Sequence, residues 1–445
     1  MKNIKILIIL IIFCSSAVYA QHDMNSNDKQ DTGMHRETKM SHSFSLSLPM
    51  NRNASGTAWL PDESPMHGYM LHSDKWMIMF HGSMFIRYTG IDITKQGNFG
   101  AGKYDAPNWL MGMAQRNTGK DGLLRLSLMM SLDRITEGGN GYPILFQTGE
   151  TWEGKRLVNR QHPHDLFSEL SAGYTHRISH DIDISGYFGY PGEPALGPAA
   201  FMHRVSSMNN ADAPLAHHWQ DAAHITFGTG TLGFRYKIFK AEASVFTGSE
   251  PDENRFDFDK PKFDSYSWRI SSNPGKNFAL QLSQGYIKSP EALEKDINVT
   301  RTTASIIHSH NFSMNRNINT TAIWGLNDRS DGLNEYSLLL ESNLNVNKFN
   351  LYGRYEFVQK DPEELELSGF EHHTKFNINA LTLGANYRIF NLSNTDISIG
   401  MQGSIYFTPG ELQTIYGKNP VSAQMYIKIN PSRMLMGNST TQHKH

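Results

Sequence analysis

The chain has a single cysteine, Cys14, and it falls in a stretch that reads as a removable leader. The exported protein would hold none, which excludes disulfides and thiolate metal sites. No later run approaches 18 consecutive apolar residues, which excludes a helical membrane span. Charge of one sign is also missing. The formal net charge is −2, which argues against a nucleic-acid partner. Hydrophobic residues make up only 39% of the chain, while glycine is plentiful at 37 residues and aromatics reach 11%. A polar, glycine- and aromatic-rich, cysteine-free exported chain has the profile of an outer-membrane β-barrel.

The first twenty residues carry the case for export. Lys2 and Lys5 precede the apolar run Ile6 to Phe13, and Val18-Tyr19-Ala20 offers an Ala-type cleavage site before Gln21. The run is too short for a spanning anchor. Lipidation at Cys14 is the alternative, but Phe13 is not the small residue expected before a lipidated cysteine. Residues 21–57 read as a disordered lead-in, polar and without apolar periodicity. Residues 58–430 read as the barrel, and 431–445 as a polar C-terminal tail. That tail ends on His445 rather than an aromatic residue, so the usual terminal signal to the barrel assembly machinery is not evident.

From about Lys75 the pattern has period two. In 349–358, Phe349, Leu351, Gly353, Tyr355 and Phe357 share one face and Asn350, Tyr352, Arg354 and Glu356 the other. The same alternation runs through 397–407, 381–389 and 166–178. Strict alternation of this length is a strand signal. About sixteen such segments are expected, beginning near residues 76, 108, 122, 165, 181, 222, 239, 264, 277, 298, 317, 333, 348, 374, 394 and 420. Many are longer than ordinary soluble strands and match tilted membrane strands. Short turns alternate with long connections near 89–107, 137–164, 191–221, 249–263, 288–297, 326–332, 360–373 and 408–419. That rhythm fits a single antiparallel up-and-down barrel of even strand number, with tight periplasmic turns, long outer loops and both termini periplasmic. Outer-membrane lipid is then the obligatory partner.

Three constellations could carry chemistry. The first is a run of Met and His near the mature N-terminus: His22, Met24, Met34, His35, Met40, His42, Met66, His67, Met70, His72, Met77, Met79, His81 and Met84. Thioether and imidazole are copper ligands, with methionine favouring Cu(I) and imidazole Cu(II), zinc or nickel. The bland reading is a tolerant tail followed by ordinary strand residues. The second is histidine in two long loops: His162, His164 and Asp165 close one, and His203, His217, His218, Asp221 and His224 lie in or after the next. Sequential loops are neighbours around a barrel, so these groups can meet at one rim. His beside Asp suits a metal ligand with its orienting carboxylate, copper or zinc being the candidate ions. It also suits general acid–base pairing, or a polar network that only pins the loops. The third is a set of rigid acidic loops around Glu193, Asp252, Glu253, Glu291 and Glu363, which could focus cations at the mouth. Glu169, Glu341 and Glu356 facing Arg177, Arg354 and Arg388 suggest ion pairs filling the bore.

Other signals fail. The run 97–103, Gly-Asn-Phe-Gly-Ala-Gly-Lys, lacks the Ser or Thr of a phosphate loop, since Tyr104 follows. Ser309 between His308 and His310 is no catalytic pair, because adjacent strand residues point to opposite faces.

Several runs resemble an uncharacterised family of bacterial outer-membrane barrel proteins: 56–62 (GTAWLPD), 147–151 (QTGET), 161–165 (QHPHD), 192–198 (GEPALGP) with 201–204 (FMHR), 217–221 (HHWQD), 248–253 (GSEPDE) and 356–360 (EFVQK). The likeness spans essentially the whole mature chain. It implies the barrel fold and an association with copper or heavy-metal handling, without naming an activity.

The leading expectation is an outer-membrane channel or metal-handling barrel passing small ions or solutes, with His162, His164, Asp165, His203, His217, His218, Asp221, Met66, His67, Met70 and His72 as metal-site candidates and no catalytic residue. A plain diffusion porin or small-solute carrier is the competing reading. An envelope enzyme acting on lipid is the third.

Overall fold

The computed structural model describes residues 45–434. The leader, the lead-in as far as residue 44, with its six Met and His residues, and the tail beyond 434 lie outside the described residues.

Sixteen antiparallel staves close into one barrel. They are β1 (Met77–Ile91), β2 (Ala101–Asp105 with Asn108–Thr118), β3 (Gly122–Met130), β4 (Phe167–Ser179), β5 (Ile182–Gly189), β6 (Thr229–Tyr236), β7 (Phe239–Phe246) and β8 (Ser265–Gly275). The second half is β9 (Phe278–Ile287), β10 (Val299–Ser313), β11 (Arg316–Arg329), β12 (Asn334–Val346), β13 (Phe349–Lys360), β14 (Phe376–Leu392), β15 (Thr395–Phe407) and β16 (Val421–Pro431). Both pieces of β2 pair with β1, and the gap falls at Ala106-Pro107, where proline cannot donate to a ladder. Each stave pairs with the next, and β16 pairs with β1 from Met84↔Ile429 to Gly90↔Ala423, which closes the sheet. A short strand, Tyr69–His72, completes the seam by pairing with Met77 to Phe80.

The alternation sorts residues as expected. Ile306 points outward and is 51% exposed, while Thr303, Ser305 and Ser309 on the same strand face the lumen and are buried. Along the outer face runs an aliphatic belt that includes Leu232, Ile270, Leu340, Leu383, Ile399 and Met425. Exposed aromatics flank it at both ends. Tyr236, Phe239, Phe278, Phe312, Phe349 and Phe390 lie toward the short turns, and Tyr88, Tyr266, Tyr336 and Phe407 toward the long loops. Water solvates such a surface poorly.

The sixth strand departs from expectation. It begins at Thr229, not near 222, because Ala222–His224 forms a helical turn belonging to the preceding loop. The lead-in departs further. Disorder was expected through residue 57, yet residues 45–66 are folded inside the lumen near the short turns. Arg125 donates to the Gly56 carbonyl at 3.0 Å, Arg269 to Thr57 Oγ1 at 2.7 Å and Asn273 to the Leu60 carbonyl at 2.9 Å. Lys240 reaches the Thr57 carbonyl and lies over the Trp59 ring. Lumen side chains satisfy the backbone of this plug, so it needs no apolar periodicity of its own.

The loop 190–228 enters from the opposite end. Its Ala195 and Gly197 amides donate to Ser244 and Ser283, both at 2.8 Å. Asn209 donates to Asn343 at 2.9 Å, and Asp212 accepts from Arg87 at 2.9 Å and Gln424 at 2.7 Å. The loop thus crosses the lumen from β7 to β16. Above it, Tyr142, Leu145 and Phe146 of the loop 131–166 pack with Ile378, Tyr406 and Tyr416 and cover the mouth.

Candidate metal centre

The two histidine-bearing loops do converge, but inside the barrel mouth rather than on an exposed rim. A one-turn helix, His217–Gln220, lies against the wall, with Gln220 Nε2 donating to Ser337 at 3.1 Å and Lys360 stacked over Trp219 at 3.9 Å. This turn aims His217 and His218 at the end of the loop 131–166. Five imidazoles result, from His162, His164, His217, His218 and His224. Ring centroids are 5.3 Å apart for His162–His218, 5.3 Å for His217–His218, 5.0 Å for His217–His224 and 5.5 Å for His164–His224. Within the group, one nitrogen each of His162, His217 and His218 lies within 4.8 Å of the others.

Each ring is held from behind. His217 Nδ1 is 2.6 Å from Asp221, His218 Nδ1 is 2.9 Å from Glu250, and His164 Nδ1 is 2.7 Å from Asp133. His224 Nδ1 is 2.9 Å from the Asp221 carbonyl, and His162 Nε2 is 3.2 Å from Glu150. A carboxylate or carbonyl only accepts, so in the first four rings Nδ1 is the donor, and in the neutral tautomer this fixes the lone pair on Nε2. Among the described residues, His164 Nε2, His218 Nε2 and His224 Nε2 are buried without a hydrogen-bond partner. A buried, unmade bond of this kind costs about 1–3 kcal/mol.

Burial favours the uncharged form of three of these rings, His162, His217 and His224. Burial drives His162 and His224 well below the usual imidazole range, and neighbouring imidazoles push them further. Burial also lowers His217, against the pull of Asp221. Asp221 itself stays ionised below the ordinary carboxylate range. Burial alone would raise it, but Arg204 and His217 more than offset that. Neutral imidazoles with carboxylates behind them are the protonation state that metal binding requires. A tetrahedral ion with bonds of about 2.05 Å sets its nitrogens roughly 3.3 Å apart, so small ring movements would bring three of these onto one ion.

The remaining candidates stand elsewhere. Asp165 is paired with Arg255 at 3.1 Å, and Arg255 also pairs with Glu150. Asp221 sits behind His217, with one oxygen on Nδ1 and the other accepting from Arg204. His203 lies apart, its ring 5.5 Å from His81 and 4.9 Å from Trp109. His67 Nδ1 is 3.3 Å from the Pro431 carbonyl, and His72 is exposed at the short-turn end. Met66 and Met70 border an internal chamber. Glu150, Glu250, Asp133 and Gly149 were not expected at the site. Gly149 has φ +110° and touches the His218 ring, where a Cβ would stand 2.2 Å from Nε2.

Of the acidic loop residues, Glu291 is drawn into an internal pair, whereas Asp252 and Glu363 stay exposed. Arg156 holds Glu291 at 3.2 Å and Glu294 at 2.7 Å, and Arg329 holds Asp361 at 3.2 Å. Glu341 binds Arg354 at 3.0 Å, as the mixed lumen charge suggested. Ser309 meets Ser64 of the plug at 3.0 Å.

No protein-family model matches the chain, and no curated protein does. Solved structures of similar fold include OmpT of Vibrio cholerae in its trimer form, 12% identical with a TM-score of 0.44 over 80% of this chain and 99% of that one. Salmonella typhi OmpF in complex with daunomycin is 9% identical with a TM-score of 0.48 over 81% and 100%. An anion-selective porin from Comamonas acidovorans is 9% identical with a TM-score of 0.45 over 80% and 100%. These likenesses concern the barrel fold alone.

Proposed function

We propose that this chain is an outer-membrane barrel that handles a transition-metal ion, bound by the imidazole cluster at its mouth. The aliphatic belt between two aromatic girdles supports the membrane setting, since lipid satisfies a surface that water does not. The observation that carries the metal reading is the set of buried Nε2 atoms on His164, His218 and His224. Each is left open while the opposite nitrogen is fixed by Asp133, Glu250 or Asp221. Copper and zinc are the ions that suit neutral imidazole. A loop-pinning network would have used both nitrogens of each ring.

The test is calorimetric titration of the purified barrel with Zn(II) and Cu(II), beside a His217→Ala/His218→Ala variant. Saturable binding in the wild type and its loss in a heat-modifiable variant support the reading. Absence of any saturable site in the wild type refutes it. A general diffusion pore is the less favoured reading, because the plug and the loop 190–228 occupy the lumen from opposite ends.

A further inference from the structure

We propose that the chamber beneath the imidazole cluster is a second, separate metal site, built for a soft monovalent cation of the Cu(I) and Ag(I) class. It rests on the thioethers and His81, and shares with the cluster above only His164 and that ring's partner Asp133.

The chamber is a cavity of about 190 Å³ bounded by the plug, the staves β1 and β2, and the inserted loop. Eight of the chain's 21 methionines line it. Met66 comes from the plug, Met77 and Met79 from β1, Met113 from β2, and Met202 and Met208 from the loop. Methionine often serves as an adaptable gap-filler. Here the thioethers border an open space instead of closing it. They also stand where this barrel elsewhere uses polar groups. The lumen-facing positions of β7 are Lys240, Glu242 and Ser244, whereas those of β1 run Met77, Met79, His81. Across the β1–β2 ladder Met79 sits directly opposite Met113, and His81 opposite Met111. The soft ligands are therefore concentrated on one wall.

The other lining groups narrow the choice of ion. Asp133 is the one carboxylate among them, and it is engaged by His164 at 2.7 Å. No second carboxylate, the usual donor to a hard dication, stands in the lining, whose other side-chain oxygens are neutral amides and hydroxyls such as Asn51, Asn108 and Ser64. Neutral thioether and imidazole suit a soft monovalent ion. His81 Nε2 is buried without a partner, and the rings of His81 and Trp109 meet edge to face at 5.1 Å. His164 borders both the imidazole cluster and this chamber, so the two sites adjoin.

The test uses the full-length barrel and Ag(I), which needs no reductant. Wild-type protein should take up Ag(I) saturably, with sulfur neighbours at the silver X-ray absorption edge. A Met77→Leu/Met79→Leu/Met113→Leu variant keeps side-chain volume and should weaken Ag(I) binding at least tenfold while retaining Zn(II) uptake. The His217→Ala/His218→Ala variant should do the reverse. Wild-type Ag(I) affinity in the leucine variant would overturn the proposal, as would silver surrounded by nitrogen alone. Should the triple variant fail to fold, the absorption edge of the wild type decides. A wild-type protein that takes up Ag(I) but no Zn(II) or Cu(II) would sink only the imidazole reading.

Discussion

His217 and Asp221 are 2.6 Å apart, one helical turn from each other, and the second oxygen of that carboxylate accepts from Arg204 at 2.6 Å. One buried carboxylate thus orients an imidazole and anchors the loop that carries it. An Asp221→Asn amide offers a single acceptor to two donors. Metal affinity should fall by about 10- to 100-fold. Titration with Zn(II) checks this, and unchanged affinity would remove the orienting role.

Gly149 packs directly against the His218 ring. A Gly149→Ala side chain would press on Nε2, and its backbone lies where L residues are strained. We expect Zn(II) affinity to drop by an order of magnitude or more, with barrel closure retained. Titration alongside a heat-modifiability gel separates the two effects. Equal affinity would mean that His218 lies outside the metal set.

Arg204 is fully buried between Asp221 and Glu341, the latter at 2.8 Å. Removing one member of a buried ion network costs about 3–5 kcal/mol. Arg204→Met should therefore release the loop 190–228 from the lumen without touching the strand ladder. Limited proteolysis should cut the loop in the variant and spare it in the wild type, and bilayer conductance should rise. A variant as protected as the wild type would show that the loop is held by its other contacts alone.

Glu193, buried in the same loop, has its carboxyl pushed up to about 8 from an ordinary 4.5, chiefly by burial and against the pull of Arg269. The folded protein therefore holds a proton that the unfolded chain releases once pH exceeds 4.5. Stability from this group is fully present below pH 4.5 and declines as pH rises to about 8, with no further change above. Melting in detergent at pH 5 and pH 9 should show a fall that Glu193→Gln reduces by several degrees. Parallel pH profiles for the two proteins would rule the group out.

Most of the fold was legible because a lipid-facing strand is long and two-faced. Phe349, Leu351 and Tyr355 against Asn350, Arg354 and Glu356 leave no competing period, and most staves begin within two residues of where the pattern puts them, the first piece of β2 and the sixth stave excepted. Thr229 was missed because 222–228 continues a buried loop whose apolar residues mimic a strand. The plug was missed for another reason. An irregular segment whose carbonyls are satisfied by Arg125, Lys240 and Asn273 needs no pattern of its own. At the site, ligand types were readable in His162, His164, His217 and His218. Their orienting partners Glu150, Glu250 and Asp133 come from other places in the chain, and only the folded loops bring them together. Met77 and Met79 were visible as strand residues, but the register with Met113 was needed to see them share a wall.

The short strand Tyr69–His72 has a mechanical consequence. It occupies the edge of β1 from Met77 to Phe80, and β16 takes the same edge from Met84 onward, with His67 bridging to Arg433 where the two meet. A slide of β16 toward the start of β1 would have to evict it. In a closed barrel the stagger of the joining strands sets the shear, and with strand number the shear sets the diameter. Four residues just beyond the plug therefore act as a gauge block for the bore of the whole cylinder.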